Sequence, residues 1–152
     1  MRKEQKVGII DIGSNTIHLD VFAVCNMYRM HVVYSAGEVN KLGVHLSQDK
    51  TIPKTIMEKA VSSVGMLIRQ AHDNGARNIF IYGTSILRHA RNRDTFIRAI
   101  EKKYDLTVEV LSANVESKLI ELSARGLDVI THEPTLIVDI GGGSTEYVLL
   151  ND

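Results

Sequence analysis

The chain has no tryptophan, one cysteine, two prolines and no net charge over its 152 residues. Each scarcity removes something. A lone cysteine, Cys25, excludes an internal disulfide, and its place among strand-forming apolar residues predicts a buried structural thiol. With 18 basic and 18 acidic side chains there is no bulk attraction to a nucleic acid polymer or a membrane, so any anion site has to be local. The first apolar run follows the basic start Met1-Arg2-Lys3 and is broken at Asp11, too soon for a signal peptide or a membrane span. A cytoplasmic protein is expected. What remains is 44% hydrophobic and 24% charged, and the length suits one ordinary domain with a real core.

Three strands open the chain, over 7–12, 16–24 and 30–35, and their short connections imply antiparallel pairing. Residues 37–50 read as loop. Pro53 then opens a long helix whose apolar face is Ile56, Ala60, Val64, Leu67, Ile68 and Ala71, and Gly75 closes it. A buried strand over 78–82 and a short helical piece over 86–90 follow. Next come a helix over 94–103, a strand over 107–111, and a helix over 115–125 with Leu119, Ile120 and Leu122 to bury. A loop over 128–134 leads to a final hairpin. The order β-β-β-α-β-α-β-α predicts a mixed sheet flanked by helices, in the α/β class.

The two ends of the chain echo each other. Ile10-Asp11-Ile12-Gly13-Ser14-Asn15-Thr16 and Val138-Asp139-Ile140-Gly141-Gly142-Gly143-Ser144-Thr145 are both apolar strands that deliver an aspartate into a turn of small residues, with the aspartates 128 residues apart. Such a turn offers bare backbone N–H groups to a phosphate, and the carboxylate beside it can hold a cation that offsets the charge. An ordinary β-hairpin explains one such turn; two of them facing each other would clamp a phosphate. The candidate phosphate contacts are therefore Gly13, Ser14, Asn15 and Thr16 in the first loop and Gly141, Gly142, Gly143, Ser144 and Thr145 in the second. The repetition also suggests a domain over 1–133 and the opening hairpin of a second, similar domain over 134–152.

Four blocks resemble the exopolyphosphatase / guanosine pentaphosphate phosphohydrolase family of the actin-like ATPase superfamily, whose domains are ribonuclease H-like. They are Asp11-Ile-Gly-Ser-Asn-Thr-Ile-His-Leu19, Gly83-Thr-Ser-Ile-Leu-Arg-His-Ala-Arg-Asn92, Val110-Leu-Ser-Ala-Asn-Val-Glu-Ser-Lys-Leu-Ile120 and Asp139-Ile-Gly-Gly-Gly-Ser-Thr-Glu146. The resemblance implies release of a terminal phosphate from inorganic polyphosphate or guanosine pentaphosphate by water. It implies Glu116 as the catalytic base and Arg88 as a phosphate contact. It also implies Asp11, Asp139 and Glu146 as carboxylates linked to Mg²⁺ or another divalent cation. Phosphoryl transfer asks mainly for placement and charge compensation, which glycine turns and a metal supply.

The chain departs from the family pattern at three positions. Val115 stands where the family has the first glutamate of a pair, Ala113 where it has glycine, and Lys118 where it has arginine. Two other readings share the hairpins: an actin-like ATPase or sugar kinase, and a non-catalytic polyphosphate- or nucleotide-binding scaffold. Arg91 and Arg93 extend the basic cluster of Arg88, either toward a polyphosphate tail or as a solvated helix start. His18 matches a position where the family accepts histidine and reads as packing or loop support. The hairpin over 134–152 needs a partner surface, because an isolated two-stranded hairpin is marginal in water. It is expected to fold back on its own domain or to pair with another chain, which makes a homodimer the expected assembly.

Overall fold

Alternating side chains make β1 (Gln5–Ile12) and β2 (Thr16–Asn26) an antiparallel pair with a clean inner face. Ile10, Ile12, Ile17, Leu19, Val21 and Ala23 are fully buried on it, while Asp11, His18 and Asp20 turn to the opposite face. The structure is a computed structural model and describes residues 5–26, 29–46, 48–126 and 134–150. β3 (Arg29–Val39) pairs antiparallel with β2. Two parallel strands, β4 (Asn78–Gly83) and β5 (Val108–Val110), extend the sheet beyond β1, giving the order β3-β2-β1-β4-β5.

Helices α1 (Lys54–Asp73) and α3 (Arg93–Tyr104) bring Ala60, Val64, Leu67, Phe96 and Ile100 into the core against the inner face, and the short α2 (Ser85–His89) adds Ile86 and Leu87. The limits of α1 follow from two residues. Pro53 precedes it and its carbonyl accepts the Met57 N–H at 2.9 Å. Gly75, at φ 88°, takes the left-handed conformation that lets its own N–H and that of Ala76 cap the carbonyls of His72 and Ala71, at 2.8 and 2.9 Å. A separate two-stranded sheet, β6 (Thr135–Ile140) with β7 (Thr145–Leu150), packs against α4 (Ala113–Arg125).

The sheet is therefore mixed and the element order is the expected one, with three corrections. β3 continues to Val39, because pairing with β2 runs to Thr16 opposite Val39 and carries Gly37 into the strand. Cys25 is exposed. It shares the inward parity of β2 but lies one step beyond Ala23, the last residue of that strand in the core. No residue of α4 is buried, and Leu119 and Leu122 remain 49% and 67% exposed. Among the described residues α4 leans mainly on the small hairpin. That hairpin lies against α4, one of the two alternatives expected for it, with Leu150 buried, while Leu136, Val138, Tyr147 and Leu149 stay open on its far face. The loop expected over 128–134, and the domain boundary within it, lies outside the described residues except for Pro134.

Packing of α1 on α3 is tightest at Gly65, where the Tyr104 hydroxyl reaches across to donate to the Val61 carbonyl at 3.0 Å. A Cβ at Gly65 would overlap the tyrosine ring. Gly65→Ala is expected to lose about 1–3 kcal/mol by overpacking, against roughly 0.5–1 kcal/mol gained in helix propensity. Urea unfolding measures the balance, and a raised midpoint would contradict this packing.

Candidate active site

β1, β4 and β5 run parallel, so their carboxyl ends open at the same edge of the sheet. Ligands of open α/β sheets gather at such an edge. The loops leaving these strands are tied together: Thr84 N–H donates to the Ile12 carbonyl at 3.4 Å, and Leu111 N–H to the Gly83 carbonyl at 2.9 Å.

The echo between the two ends of the chain is one turn built twice. Gly13 N–H closes the first turn on the Thr16 carbonyl at 3.1 Å, and Gly141 N–H closes the second on the Ser144 carbonyl at 2.9 Å. The register matches as well, since Asp11 lies opposite His18 and Asp139 opposite Glu146. The two turns also touch. A Cβ at Gly142 would stand 2.9 Å from the Asn15 Cβ, and one at Gly143 would overlap the Ser14 hydroxyl. Residues 40–43 brace the first turn from behind. Gly43 N–H donates to the Ser14 carbonyl at 2.7 Å, and the N–H groups of Asn40 and Lys41 donate to the Asn15 carbonyl at 3.0 and 2.8 Å.

This accounting divides the candidate phosphate donors. The N–H groups of Gly13 and Gly141 are spent on closing their own turns. Those of Ser14, Asn15, Gly142 and Gly143 have no protein acceptor among the described residues and sit on two turns in contact. Adjacent backbone donors left without acceptors suit an anion. Thr16 and Thr145 begin β2 and β7, and Ser144 gives its carbonyl to the second turn.

Next to the turns, Arg88 joins three elements. Its Nη1 donates to the Glu116 carboxylate at 2.5 Å and to the Leu111 carbonyl at 2.9 Å, and its Nη2 stands 4.0 Å from Glu146. All three side chains are mostly buried. Ser112 caps α4 by accepting the Val115 N–H at 3.3 Å, which starts the helix so that Glu116 lies in its first turn. Glu116 thus meets the dipole of α4 and also a guanidinium.

Asp11 feels this cluster. Desolvation at the strand ends pushes its carboxyl up to about 6, the charge of Glu116 adds to the rise, and His18 opposes it. Part of Asp11 nevertheless borders solvent, so its carboxyl sits at the mouth of the site rather than beneath it. His18 is held by Asp20, with Nε2 3.3 Å from Oδ1, and the Ser35 hydroxyl bonds to the same oxygen.

Asp11, Asp139 and Glu146 do not gather into a three-carboxylate cage: among the described residues no group of three His, Cys, Asp or Glu could hold a metal ion. Asp139 is exposed, and its nearest relation to the site is its place opposite Glu146. Arg91 and Arg93 stay outside the site, with Arg93 paired to its neighbour Asp94 at 3.5 Å. Asn92 pins the chain before α1 instead, accepting from the Ile52 N–H and donating to the Ile52 carbonyl, both at 2.9 Å.

A cavity of about 420 Å³ adjoins the paired turns. Ser14, Gly142 and Gly143 line it together with Lys50, Ser85 and His89, and none of Asp11, Arg88, Glu116 and Glu146 does. Ser85 directly follows the strand-ending Gly83-Thr84 and, like His89, lies in the second of the four family-like blocks. Lys50 has no signal of its own in the sequence.

A model of the Ppx/GppA phosphatase family matches residues 21–152. The chain belongs to that family. A putative exopolyphosphatase of Haemophilus influenzae is 26% identical over 152 residues, which is 97% of this chain and 45% of the relative. A guanosine-5'-triphosphate,3'-diphosphate pyrophosphatase of Aeromonas hydrophila is 30% identical over 141 residues, 92% of this chain and 28% of the relative. The crystal structure of an exopolyphosphatase from Cytophaga hutchinsonii superposes with a TM-score of 0.88 at 27% identity, over 97% of this chain and 47% of that one. The chain therefore spans less than half the length of these Ppx/GppA relatives, and its mixed sheet is of the actin-like ATPase type.

Asp11 makes the site sensitive to pH. A carboxyl raised from 3.8 to about 6 binds more protons in the folded state, so its contribution to stability is lost as pH rises through that window. Asp11→Asn removes the loss. The variant is expected to be more stable than the parent at about pH 8, with the difference fading as pH falls toward about 4. Urea midpoints at the two pH values measure it, and a variant less stable at the higher pH would contradict the assignment.

Proposed function

We propose that this chain carries the first lobe, residues 1–133, and the opening hairpin of a second lobe, residues 134–152, of a phosphohydrolase. Its reaction is release of terminal orthophosphate from inorganic polyphosphate or guanosine pentaphosphate by attack of water. The observation that carries the reading is the contact of two equivalent turns, each with N–H groups that have no acceptor among the described residues, beside the Arg88–Glu116–Glu146 cluster. The names of the relatives agree with it, one group being called exopolyphosphatases and the other guanosine-5'-triphosphate,3'-diphosphate pyrophosphatases.

In this reading Ser14, Asn15, Gly142 and Gly143 bind the terminal phosphate through their N–H groups. A hydrogen bond to a charged oxygen contributes about 1.5–3 kcal/mol. Two or three of them orient the group for in-line attack. Arg88 faces the same phosphate. The guanidinium has five N–H donors and uses one nitrogen on Glu116 and Leu111, so an arriving phosphate competes with Glu116 for it. As Arg88 turns toward the phosphate, Glu116 is released to take the proton of the attacking water. Val115 leaves this base without the second carboxylate that the family pattern has next to it.

The donor chemistry fits a divalent cation bound through one or two carboxylates and completed by water. Asp11 is the leading ligand, because a carboxyl disfavoured as an anion by its surroundings gains from a cation beside it. Glu146 and Asp139, opposite each other on the second hairpin, are the others. When bound, Mg²⁺ would supply charge neutralisation to the phosphate.

Glu116→Gln in the complete two-lobed protein is expected to lower kcat for orthophosphate release by about 10²–10⁴-fold. KM should change far less. Equal kcat values would remove Glu116 from the mechanism.

A further inference from the structure

The two turns differ in what stands behind them. Among the described residues no backbone N–H from outside the second turn donates to it, whereas those of Asn40, Lys41 and Gly43 all donate to carbonyls of the first. The Ser14 carbonyl and the Asn15 N–H belong to one planar trans peptide group and point opposite ways. The Gly43 N–H, 2.7 Å from that carbonyl, therefore fixes the direction of the Asn15 N–H, one of the donors without an acceptor among the described residues. The N–H groups of Asn40 and Lys41 converge on the Asn15 carbonyl and fix the next peptide plane in the same way. A carbonyl that accepts also makes the N–H of its own peptide a better donor, since hydrogen bonds in a chain polarise one another.

The brace is built at some cost. Lys41 sits at φ 52°, in the left-handed region that a lysine rarely adopts, and turns the chain between the N–H pair on Asn15 and the single N–H on Ser14. Gly43 supplies room for the approach, because a Cβ there would stand 3.1 Å from the Ser14 Cβ. Strained backbone persists only where its surroundings over-determine it. Here two anchors do so. Leu42 is fully buried in the core. Asn40 is buried too, and its amide is engaged at both ends: Nδ2 donates to the Glu38 carbonyl at 3.0 Å, and Oδ1 accepts the buried Ser63 hydroxyl of α1 at 3.4 Å.

Burying a polar side chain is unfavourable unless it is hydrogen-bonded. Among the described residues only Ser14, Asn40, Ser63 and Ser85 are buried polar side chains. All four belong to one region: Ser14 and Ser85 line the cavity beside the turns, and Asn40 and Ser63 lie behind the first turn without lining it. We propose that the Asn40–Ser63 pair is a positioning device for the anion site. Through residues 40–43 it sets the direction of the Asn15 N–H, and neither residue touches the anion. This role rests on the reading of the paired turns as a phosphate site.

The test is calorimetric titration of tripolyphosphate into the complete two-lobed protein, for the parent, Asn40→Ala, Ser63→Ala and Gly65→Ala. Gly65 shares α1 with Ser63 but meets Tyr104 of α3, so Gly65→Ala controls for destabilisation alone. Lost stability lowers the number of sites titrated and leaves the affinity of the folded molecules unchanged. Asn40→Ala is expected to weaken binding about tenfold, as one misdirected charge-assisted bond would. Ser63→Ala should weaken it about threefold, through loss of one neutral bond, and Gly65→Ala should stay within about twofold of the parent. For Asn40→Ala, kcat for orthophosphate release should fall at least as far as affinity, because a displaced terminal phosphate is out of line for attack. Parental affinity in both Asn40→Ala and Ser63→Ala, or an equal loss in Gly65→Ala, would overturn the proposal. Should Asn40→Ala fail to fold, Ser63→Ala decides. If the parent binds tripolyphosphate but releases no orthophosphate, the phosphohydrolase reading falls and the titrations still decide the brace. If the parent binds none, the anion site falls and the role of the brace with it.

Discussion

Three mostly buried charges from three separate elements meet at Arg88, and the site is arranged around that meeting. Arg88 comes from the short helix α2, Glu116 from the first turn of α4, and Glu146 from the second hairpin. A buried guanidinium needs partners, since removing an ion from water costs several kcal/mol unless charge and hydrogen bonds replace the solvent. Glu116 and the Leu111 carbonyl meet most of that need, and Glu146 adds charge at longer range. The consequence is geometric. The hairpin that carries Glu146 is drawn to the edge of the main sheet, where its glycine turn comes to rest on the first turn. The Arg88–Glu146 pair adds to the buried Leu150 and the contact between the turns in holding the hairpin, since no residue of α4, the helix it packs on, is buried.

The same arrangement stores the elements of the proposed reaction in a paired state. Arg88 neutralises Glu116 until an anion with a stronger claim on the guanidinium arrives. The N–H groups of Ser14, Asn15, Gly142 and Gly143, without acceptors among the described residues, lie where that anion would bind, and Asp11 waits at the mouth with its carboxyl raised to about 6. A phosphate binding here would satisfy the donors and redirect the arginine at once. Substrate binding and activation of the base would then be one event.

Much of this is legible in the sequence. Alternating apolar residues and the Gly75 stop placed the strands of the main sheet and the long helix, and the repeated Asp-Ile-Gly pattern proved to be the same turn down to its closing hydrogen bond. What escaped was set by distant partners. Gly37 argued for a loop and was overruled by pairing with β2. Leu119 and Leu122 looked like an inner face, yet burial depends on what lies opposite, and α4 has little there. Gly13 reads as a phosphate donor, yet its N–H closes its own turn. Arg88 and Glu116 are 28 residues apart, and no local pattern announces their contact. Lys50 and His89 become neighbours of one cavity only through the fold.

The central claim is that the two turns act as one anion site because they touch. Gly143 is the place to test it, since any side chain there must push against Ser14. Gly143→Ala should part the turns without disturbing the core of the main sheet. The affinity of the complete two-lobed protein for tripolyphosphate, measured by calorimetry, is then expected to fall about tenfold or more, in line with the loss of one or two charge-assisted bonds. Unchanged affinity in a folded variant would mean that each turn works alone and would contradict the account.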